Sequence, residues 1–559
     1  MKISSRHLVS LFLACCLLGP VSAVAAQIWS ETLDSKPDWS SVDVGGGLLL
    51  AKNGTLYRHN PETGSVTWNR DDLVIEQKTD IKGLSGAELM LARSYPPQDN
   101  SGKKKRKKRR DPKTARWSAL DLKTGDVVWQ VSGVAGEVID ITAVPDTQIV
   151  LVFEYYSPKQ KEQRGIYLSA LNAADGVPLW RTRIASSKAK LGAKKSSRGL
   201  RGLAGYPVPV LHNNMLYLSH LGIHVIDATS GELKWEHSFR RSGPSHMHSV
   251  AKPLIDEDRV YVADKGLVYA YDLDSGTQAW KSKVRGAGTI SELHRTSTML
   301  LARLGGVFSS GKELDGLKAF GVVALDPTSG GQHWKYDDAE AGITNLLIEE
   351  NKDRVTFADA QAVVGIRLSS GEVLYEAPLQ FYRQYGIFDP KKSGFAISGG
   401  FSKWNSATGG KGGGGGLGGG GCSLEIGDLP LEISPKGEEY VIRGIQHMMT
   451  FDPRVMLVQW SVIVSDANPV DRTIVETGHL PPISALNRSY FLTTLRLGSG
   501  RRTRETLSLL GLRRKDGKVM ARQDIQAKKP TVLIDHQRDR LFVMHSGKKK
   551  TVNIQAYSL

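Results

Sequence analysis

The stretch Ala270-Tyr-Asp-Leu-Asp-Ser-Gly-Thr-Gln-Ala-Trp280 decides the fold. Its Asp can close an Asx-turn with the backbone a few residues on, and its Gly supplies the positive φ at which such a turn ends. Strand formers lie on both sides with period two, Arg259-Val-Tyr-Val-Ala263 before it and Trp280-Lys-Ser-Lys-Val284 after it. The stretch therefore reads as a hairpin that carries a Trp into its second strand. The frame returns at Ala119–Trp129, Val225–Trp235 and Ala324–Trp334, and more loosely at Arg58–Trp68 and Ala170–Trp180. Gly365–Tyr375 replaces the Trp by Tyr, and Gly511–Ala521 keeps only the turn. From Arg58 to Gly365 successive copies begin 41 to 61 residues apart, a spacing that suits one small sheet per copy.

A small antiparallel sheet cannot bury both faces alone. Stacking such sheets radially about an axis solves this and leaves only short edges, which is a β-propeller. Each hairpin would form the last two strands of a blade, and each Trp would pack between neighbouring blades. One copy is split: Ala556-Tyr-Ser-Leu559 matches the front half of the frame, and Gln27-Ile-Trp-Ser-Glu-Thr-Leu33 the back half, with Trp29 in the Trp slot. The expectation is an all-β propeller of about eight four-stranded blades (seven to nine), closed by pairing of the N- and C-terminal strands. It forms one domain over 27–559, with insertion loops at about 97–115, 186–202 and 376–500. The last contains a run of Gly at 409–421, broken only by Lys411 and Leu417, which reads as a flexible loop. It also contains a strand-like run, Val455–Val464, that lacks the turn frame.

Composition agrees with a turn-rich β protein: of 559 residues 40% are hydrophobic, with 59 Gly and 11 Trp. The net charge of +17 belongs mostly to two runs. One is Lys103, Lys104, Lys105, Arg106, Lys107, Lys108, Arg109 and Arg110; the other is Lys188, Lys190, Lys194, Lys195, Arg198 and Arg201. The rest of the surface is close to balanced. The only cysteines are Cys15, Cys16 and Cys422, which excludes a disulfide scaffold and any multi-Cys metal centre. Residues 1–26 read as a secretory signal peptide: Lys2 and Arg6, an apolar run from Leu8 to Leu18, then Ala23-Val-Ala-Ala26 for cleavage. A lipid anchor at Cys15 is the weaker reading, because the apolar run before it is short and Phe12 stands three residues ahead. No later apolar run reaches the roughly 20 residues of a spanning helix. The protein is expected to be exported, to the periplasm or the outer membrane's inner face, where nucleic acid is not a partner.

The repeat resembles the pyrroloquinoline-quinone (PQQ) repeat of quinoprotein dehydrogenases and their non-enzymatic relatives. Among the latter it is similar in style to the propeller subunit of the outer-membrane β-barrel assembly machinery. The dehydrogenase side of that resemblance implies PQQ with Ca²⁺, held against vicinal cysteines, and often a Cys-x-x-Cys-His haem site. Here the only vicinal pair is Cys15-Cys16, inside the signal peptide, and the haem motif is missing. The chain also lacks Gly-x-Ser-x-Gly and His-Glu-x-x-His. The resemblance thus implies a non-catalytic scaffold for protein–protein interaction in the bacterial envelope, serving outer-membrane protein assembly, with no cofactor. A PQQ-dependent or other small-molecule-binding propeller is the alternative.

Two groups of residues stand out as candidate sites. His246 and His248 are two apart and precede the inner-strand run Ala251–Ile255; with Lys252 and Arg201 they would make a basic funnel for an anionic ligand. The plainer reading is solvated strand-entry residues, since two histidines without a third ligand are a weak metal signal. Lys103–Arg110 interrupts a blade as a loop and would meet an anionic envelope surface, or else simply be solvated. Trp29, Trp68, Trp129, Trp180, Trp235, Trp280 and Trp334 are read as structural.

Overall fold

The computed structural model describes residues 26–558 apart from several stretches, the longest being 96–114, 187–208, 240–250, 305–320, 379–431 and 471–487. For 432–523 only the backbone is described. Residues 1–25, the three cysteines, Lys103–Arg110, Arg201, His246, His248 and the Gly-rich run therefore lie outside the described residues.

Every named strand belongs to a four-stranded sheet, and the described residues hold ten such sheets. We number them along the chain: sheet 1 Trp39–Arg70, sheet 2 Ile81–Gln130, sheet 3 Glu137–Ser186, sheet 4 Val210–Ser238, sheet 5 Leu254–Lys283, sheet 6 Ile290–Tyr336, sheet 7 Leu347–Pro378, sheet 8 Glu432–Ile463, sheet 9 Asn468–Ile525, and sheet 10 Thr531–Ser558 with Ala26–Leu33. In sheets 1 to 9 the strands follow one another in chain order, so each is an up-and-down meander of the kind a propeller stacks. Ten sheets stand where the repeat suggested about eight. Sheets 1 to 7 carry the clear copies of the frame, sheet 9 the weak copy at Gly511, and sheet 10 the split copy. Sheet 8, built from Glu432–Lys436, Glu439–Arg443, His447–Asp452 and Leu457–Ile463, has no Asp…Gly…Trp turn. It lies inside 376–500, where the missing frame made the sequence read as an insertion.

The chain falls into two compact units, 1–69 with 445–451 and 458–559, and 70–444 with 452–457. In the second unit, the period-two alternation of each strand gives one face to the sheet before and one to the sheet after. Val150 and Val152 of sheet 3 pack with Leu91, Ala119 and Trp129 of sheet 2. Their neighbours Leu151 and Phe153 pack with Leu216, Leu218 and Ile226 of sheet 4. Sheets 4 and 5 meet through Tyr217, Val225, Val260 and Tyr271. Sheets 5 and 6 meet through Tyr261, Ala270, Leu300 and Val323, and sheets 6 and 7 through Leu301, Ala324, Val355 and Phe357.

The first unit contains the split copy. Ala26–Leu33 adds to Val552–Ser558 as the last strand of sheet 10, and Trp29 stands opposite Ala556. The same pairing occurs within intact copies, Ala119 with Trp129, Ala170 with Trp180, Ala270 with Trp280 and Ala324 with Trp334. The pairing expected to close the fold is therefore present and in register. Trp29 packs with Phe542, Ile554 and Ala556 of its own sheet and with Leu48 and Leu50 of sheet 1.

The Trp residues do more than fill space between sheets. Each reaches forward onto the turn of the next copy. The indole Nε1–H of Trp29, Trp129, Trp180, Trp235, Trp280 and Trp334 donates to the carbonyls of Pro61, Ala173, Ala228, Leu273, Pro327 and Leu368, at 2.8–3.2 Å. These acceptors all hold the fourth position of the frame. The same rings lie against the seventh, Gly64, Gly176, Gly231, Gly276, Gly330 and Gly371, each at positive φ. Gly is required there twice over, for the left-handed backbone and for the room its missing Cβ leaves to the indole. The Asx-turn is formed as expected: Asp227 Oδ1 accepts the N–H groups of Thr229 and Ser230 at 2.9 and 2.8 Å, and Asp326 Oδ1 those of Thr328 and Ser329 at 2.8 and 2.6 Å. Two residues past the Trp, a further donor caps the carbonyl of the next Gly, Arg70 on Gly125 and His237 on Gly276, each at 2.6 Å, and Thr182 on Gly231.

The Tyr copy is built differently. Tyr375 folds back across Gly365 of its own sheet, and its hydroxyl meets Thr356 Oγ1 at 3.0 Å. The aromatic serves its own sheet at the point where the clear series of copies ends.

Candidate interaction surface

The forward docking of the Trp leaves the fourth strand of each sheet as its last member. One row of main-chain N–H and C=O groups on such a strand is free for another chain. Among the described residues, five of the six large exposed apolar side chains lie on these edges and their turns: Val66 in sheet 1, Val128 in sheet 2, Val177 and Leu179 in sheet 3 and Val373 in sheet 7; the sixth, Leu211, is on the first strand of sheet 4. Val128 and Leu179 each sit just before the Trp, at the bulge where the register shifts. The same place is held by Lys234 in sheet 4, Ala279 in sheet 5 and His333 in sheet 6.

The outer end of sheet 3 is the most elaborated of these edges. Its last strand, Pro178–Ser186, spans nine residues, against four to six in the other sheets of the clear series. The face of the Arg181 guanidinium lies 3.8 Å from the ring centroid of Tyr167 and 5.2 Å from that of Tyr156. The two rings meet edge to face at 5.8 Å. Arg181 Nε donates to Glu154, whose side chain is fully buried and whose other oxygen accepts the Gly136 N–H at 2.9 Å. Arg183, two residues on, is exposed and donates to the Arg164 carbonyl at 2.7 Å.

Of the funnel residues predicted from sequence, Lys252 alone is described, and it is exposed. The ladders show which residues share its place. Leu254 opposes Tyr261, His294 opposes Leu301 and Leu347 opposes Thr356. Counting back two residues aligns Lys252 with Glu292 and Asn345. Glu292 lies within its first strand, and Lys252 and Asn345 stand two residues ahead of theirs; first strands border the axis of a propeller. Sequence reading missed Glu292 and Asn345, because only the pairing register aligns them. Burial pushes the Glu292 carboxyl up, but the hydrogen bond with His294 and the charge of Arg303 outweigh it and hold it below the usual carboxylate range. Arg201, His246 and His248, the other residues of the expected funnel, lie outside the described residues.

Among the described residues no group of three or more His, Cys, Asp or Glu is placed to hold a metal ion. No helix among them is long and apolar enough to cross a membrane.

A family model described as outer membrane protein assembly factor BamB matches residues 113–304 and 223–386. No curated protein matches the chain. Solved structures similar to it include BamB from Moraxella catarrhalis, at 14% identity over 75% of this chain and 97% of that one, with a TM-score of 0.35. They also include the quinohemoprotein alcohol dehydrogenase ADHIIG from Pseudomonas putida HK5, at 13% over 74% and 73% with a TM-score of 0.31. A europium-containing methanol dehydrogenase matches at 10% over 76% and 93%, with a TM-score of 0.33.

Proposed function

We propose a function on the premise that this chain belongs to the PQQ-like β-propeller family: it is an exported, non-catalytic scaffold that docks partner proteins in the bacterial envelope. The family model's description, an outer membrane protein assembly factor, makes assembly of envelope proteins the process this reading favours. The observation that carries it is the set of fourth-strand edges with exposed Val66, Val128, Val177 and Leu179, on sheets whose other faces are consumed by packing. Apolar groups beside an unpaired strand are what a partner segment can add to. The basic run Lys103–Arg110 joins the second and third strands of sheet 2 in sequence, and in this reading it draws acidic partners or an anionic surface to the protein.

The test is an affinity pull-down of the mature protein from its own envelope fraction, with and without residues 103–110. Envelope proteins recovered by mass spectrometry, and reduced by the deletion, support the scaffold. Recovery of no protein, together with a small molecule released on denaturation, overturns it.

A second reading, a propeller that binds a small molecule on its axis, is favoured by one observation: Lys252, Glu292 and Asn345 each stand two residues before equivalent ladder residues, Leu254, His294 and Leu347, of successive first strands. A quinone absorbance or a Ca²⁺ requirement in the purified protein would carry that reading over the scaffold.

A further inference from the structure

We infer that the fourth strand of sheet 3 is a docking edge for an extended, acidic segment of a partner protein, received by the guanidinium of Arg181. This rests on the scaffold reading and narrows it to one edge and one partner chemistry.

The argument starts from how Arg181 is held. A surface arginine ordinarily samples many rotamers, and pinning it costs side-chain entropy. Here the guanidinium face is stacked on Tyr167 and flanked by Tyr156, and its Nε is fixed by the buried Glu154. Glu154 is itself anchored by the Gly136 N–H. The side chain is 32% exposed, and among the described residues neither Nη atom has a partner. The result is a planar, pre-oriented fork whose two outward donors are open, the geometry that suits a carboxylate bidentately.

A cation on an edge strand can serve only to repel other edges. A mobile side chain does that as well as a pinned one, so mere protection does not account for two aromatic rings and a buried carboxylate behind Arg181. The neighbours extend the pattern. Arg183 follows at the next outward position, and the strand Pro178–Ser186 contains no acidic residue. At its hairpin end stand Val177 and Leu179, 52% and 45% exposed. An incoming strand would meet apolar side chains at one end, two cations spaced by two residues at the other, and main-chain groups between. A lipid headgroup would use the cations and leave the strand edge and the apolar end unmet. The occupant is therefore a β-segment with two apolar residues followed, at alternate positions, by two carboxylates.

The probe is the blocked peptide Val-Thr-Val-Thr-Glu-Thr-Glu-Thr, with its reversed order, and a control in which Gln replaces both Glu. Binding to the full mature chain is read by fluorescence anisotropy at two salt concentrations, and by amide hydrogen exchange over 178–186. The expected result is binding of one order, weakened by salt and by the Gln control, with slowed exchange on that strand. Arg181→Lys keeps the charge beside Glu154 but removes the fork, and should weaken binding about tenfold, the loss of roughly one good charge-assisted contact. Tyr167→Leu frees the guanidinium without changing charge and should weaken binding in the same direction, so the result does not depend on one variant's folding. Equal binding by Arg181→Lys, or by the Gln control, overturns the inference. So does Arg181-dependent binding of phosphatidylglycerol vesicles without binding of the peptide. If the pull-down recovers the same partners from wild type and Arg181→Lys, the scaffold stands and this site falls; if it recovers none, both fall.

Discussion

The indole of Trp280 lies so close against Gly330 of the following sheet that a Cβ at Gly330 would stand 2.4 Å from Cε3 of the ring. Gly330 also has φ near +73°. Gly330→Ala is therefore expected to lose about 1–2 kcal/mol from backbone conformation alone, with the displaced indole adding to it. Gly331→Ala is the control, because a Cβ there meets only Ser329 Oγ at 3.3 Å and the φ is ordinary. Thermal unfolding should show a clear drop in Tm for the first and little change for the second.

Trp280 contributes by area and by one hydrogen bond, and the two can be separated. Trp280→Phe removes the Nε1–H that Pro327 accepts at 2.9 Å and should cost about 1 kcal/mol. The Pro327 carbonyl keeps Arg259 Nη1 at 2.7 Å, so it is not orphaned. Trp280→Ala should cost about 3–5 kcal/mol. In chemical denaturation the losses of Trp280→Ala and Gly330→Ala should fall short of additive, since both break one contact.

The turn aspartates predict acid sensitivity. The N–H groups of Ser230 and Ser329 donate to Asp227 and Asp326 and hold both carboxyls below the usual range; the backbone of Ser275 does the same for Asp272. A carboxyl depressed on folding stabilises the fold above its unfolded pKa, about 3.9, and that stability is lost as pH falls through the lower, folded value. Asn60 and Asn172 already fill this place in two copies. The triple variant Asp227→Asn, Asp272→Asn, Asp326→Asn should be less stable than wild type at pH 7 and lose less between pH 4 and pH 2, so that the two converge in acid, followed by unfolding midpoint against pH.

Because the core is a series of contacts between consecutive sheets, damage should stay local. Trp29→Ala is expected to raise amide exchange over Val552–Ser558 and the turn at Asn60–Gly64, while Leu300–Leu304 and Gly321–Leu325 keep their protection. Loss of protection in all these strands together would show a single cooperative unit instead.

The Asp, Gly and Trp of the turn were legible in the sequence because their roles are local, and so was the split copy, since Ala556 and Trp29 occupy two slots of one frame. The direction of the clamp was not. That Trp280 serves Gly330 and not its own Gly276 depends on how two sheets lie against each other, which no spacing within a copy reveals. Sheet 8 was only partly legible: Thr450-Phe-Asp-Pro and Trp460 fit the frame, but Met456 stands where the turn Gly should be. Nothing in the sequence singled out Arg181. Its partners Glu154, Tyr156 and Tyr167 lie on two other strands, and only cross-strand register brings them under it.

The split copy also bears on the order in which the molecule can be made. Trp29 Nε1 reaches a carbonyl 32 residues further on, whereas Thr32 of the same strand bonds Asn553, 521 residues further on. A chain emerging from its N-terminal side can seat Trp29 on the Pro61–Gly64 turn almost at once, while the partner strand is still unmade. The indole then acts as a mooring that keeps an otherwise unpaired strand off wrong edges until the last strands arrive. Refolding of the whole chain from denaturant, where that order is lost, should accordingly be slower and more prone to aggregation than folding as it emerges.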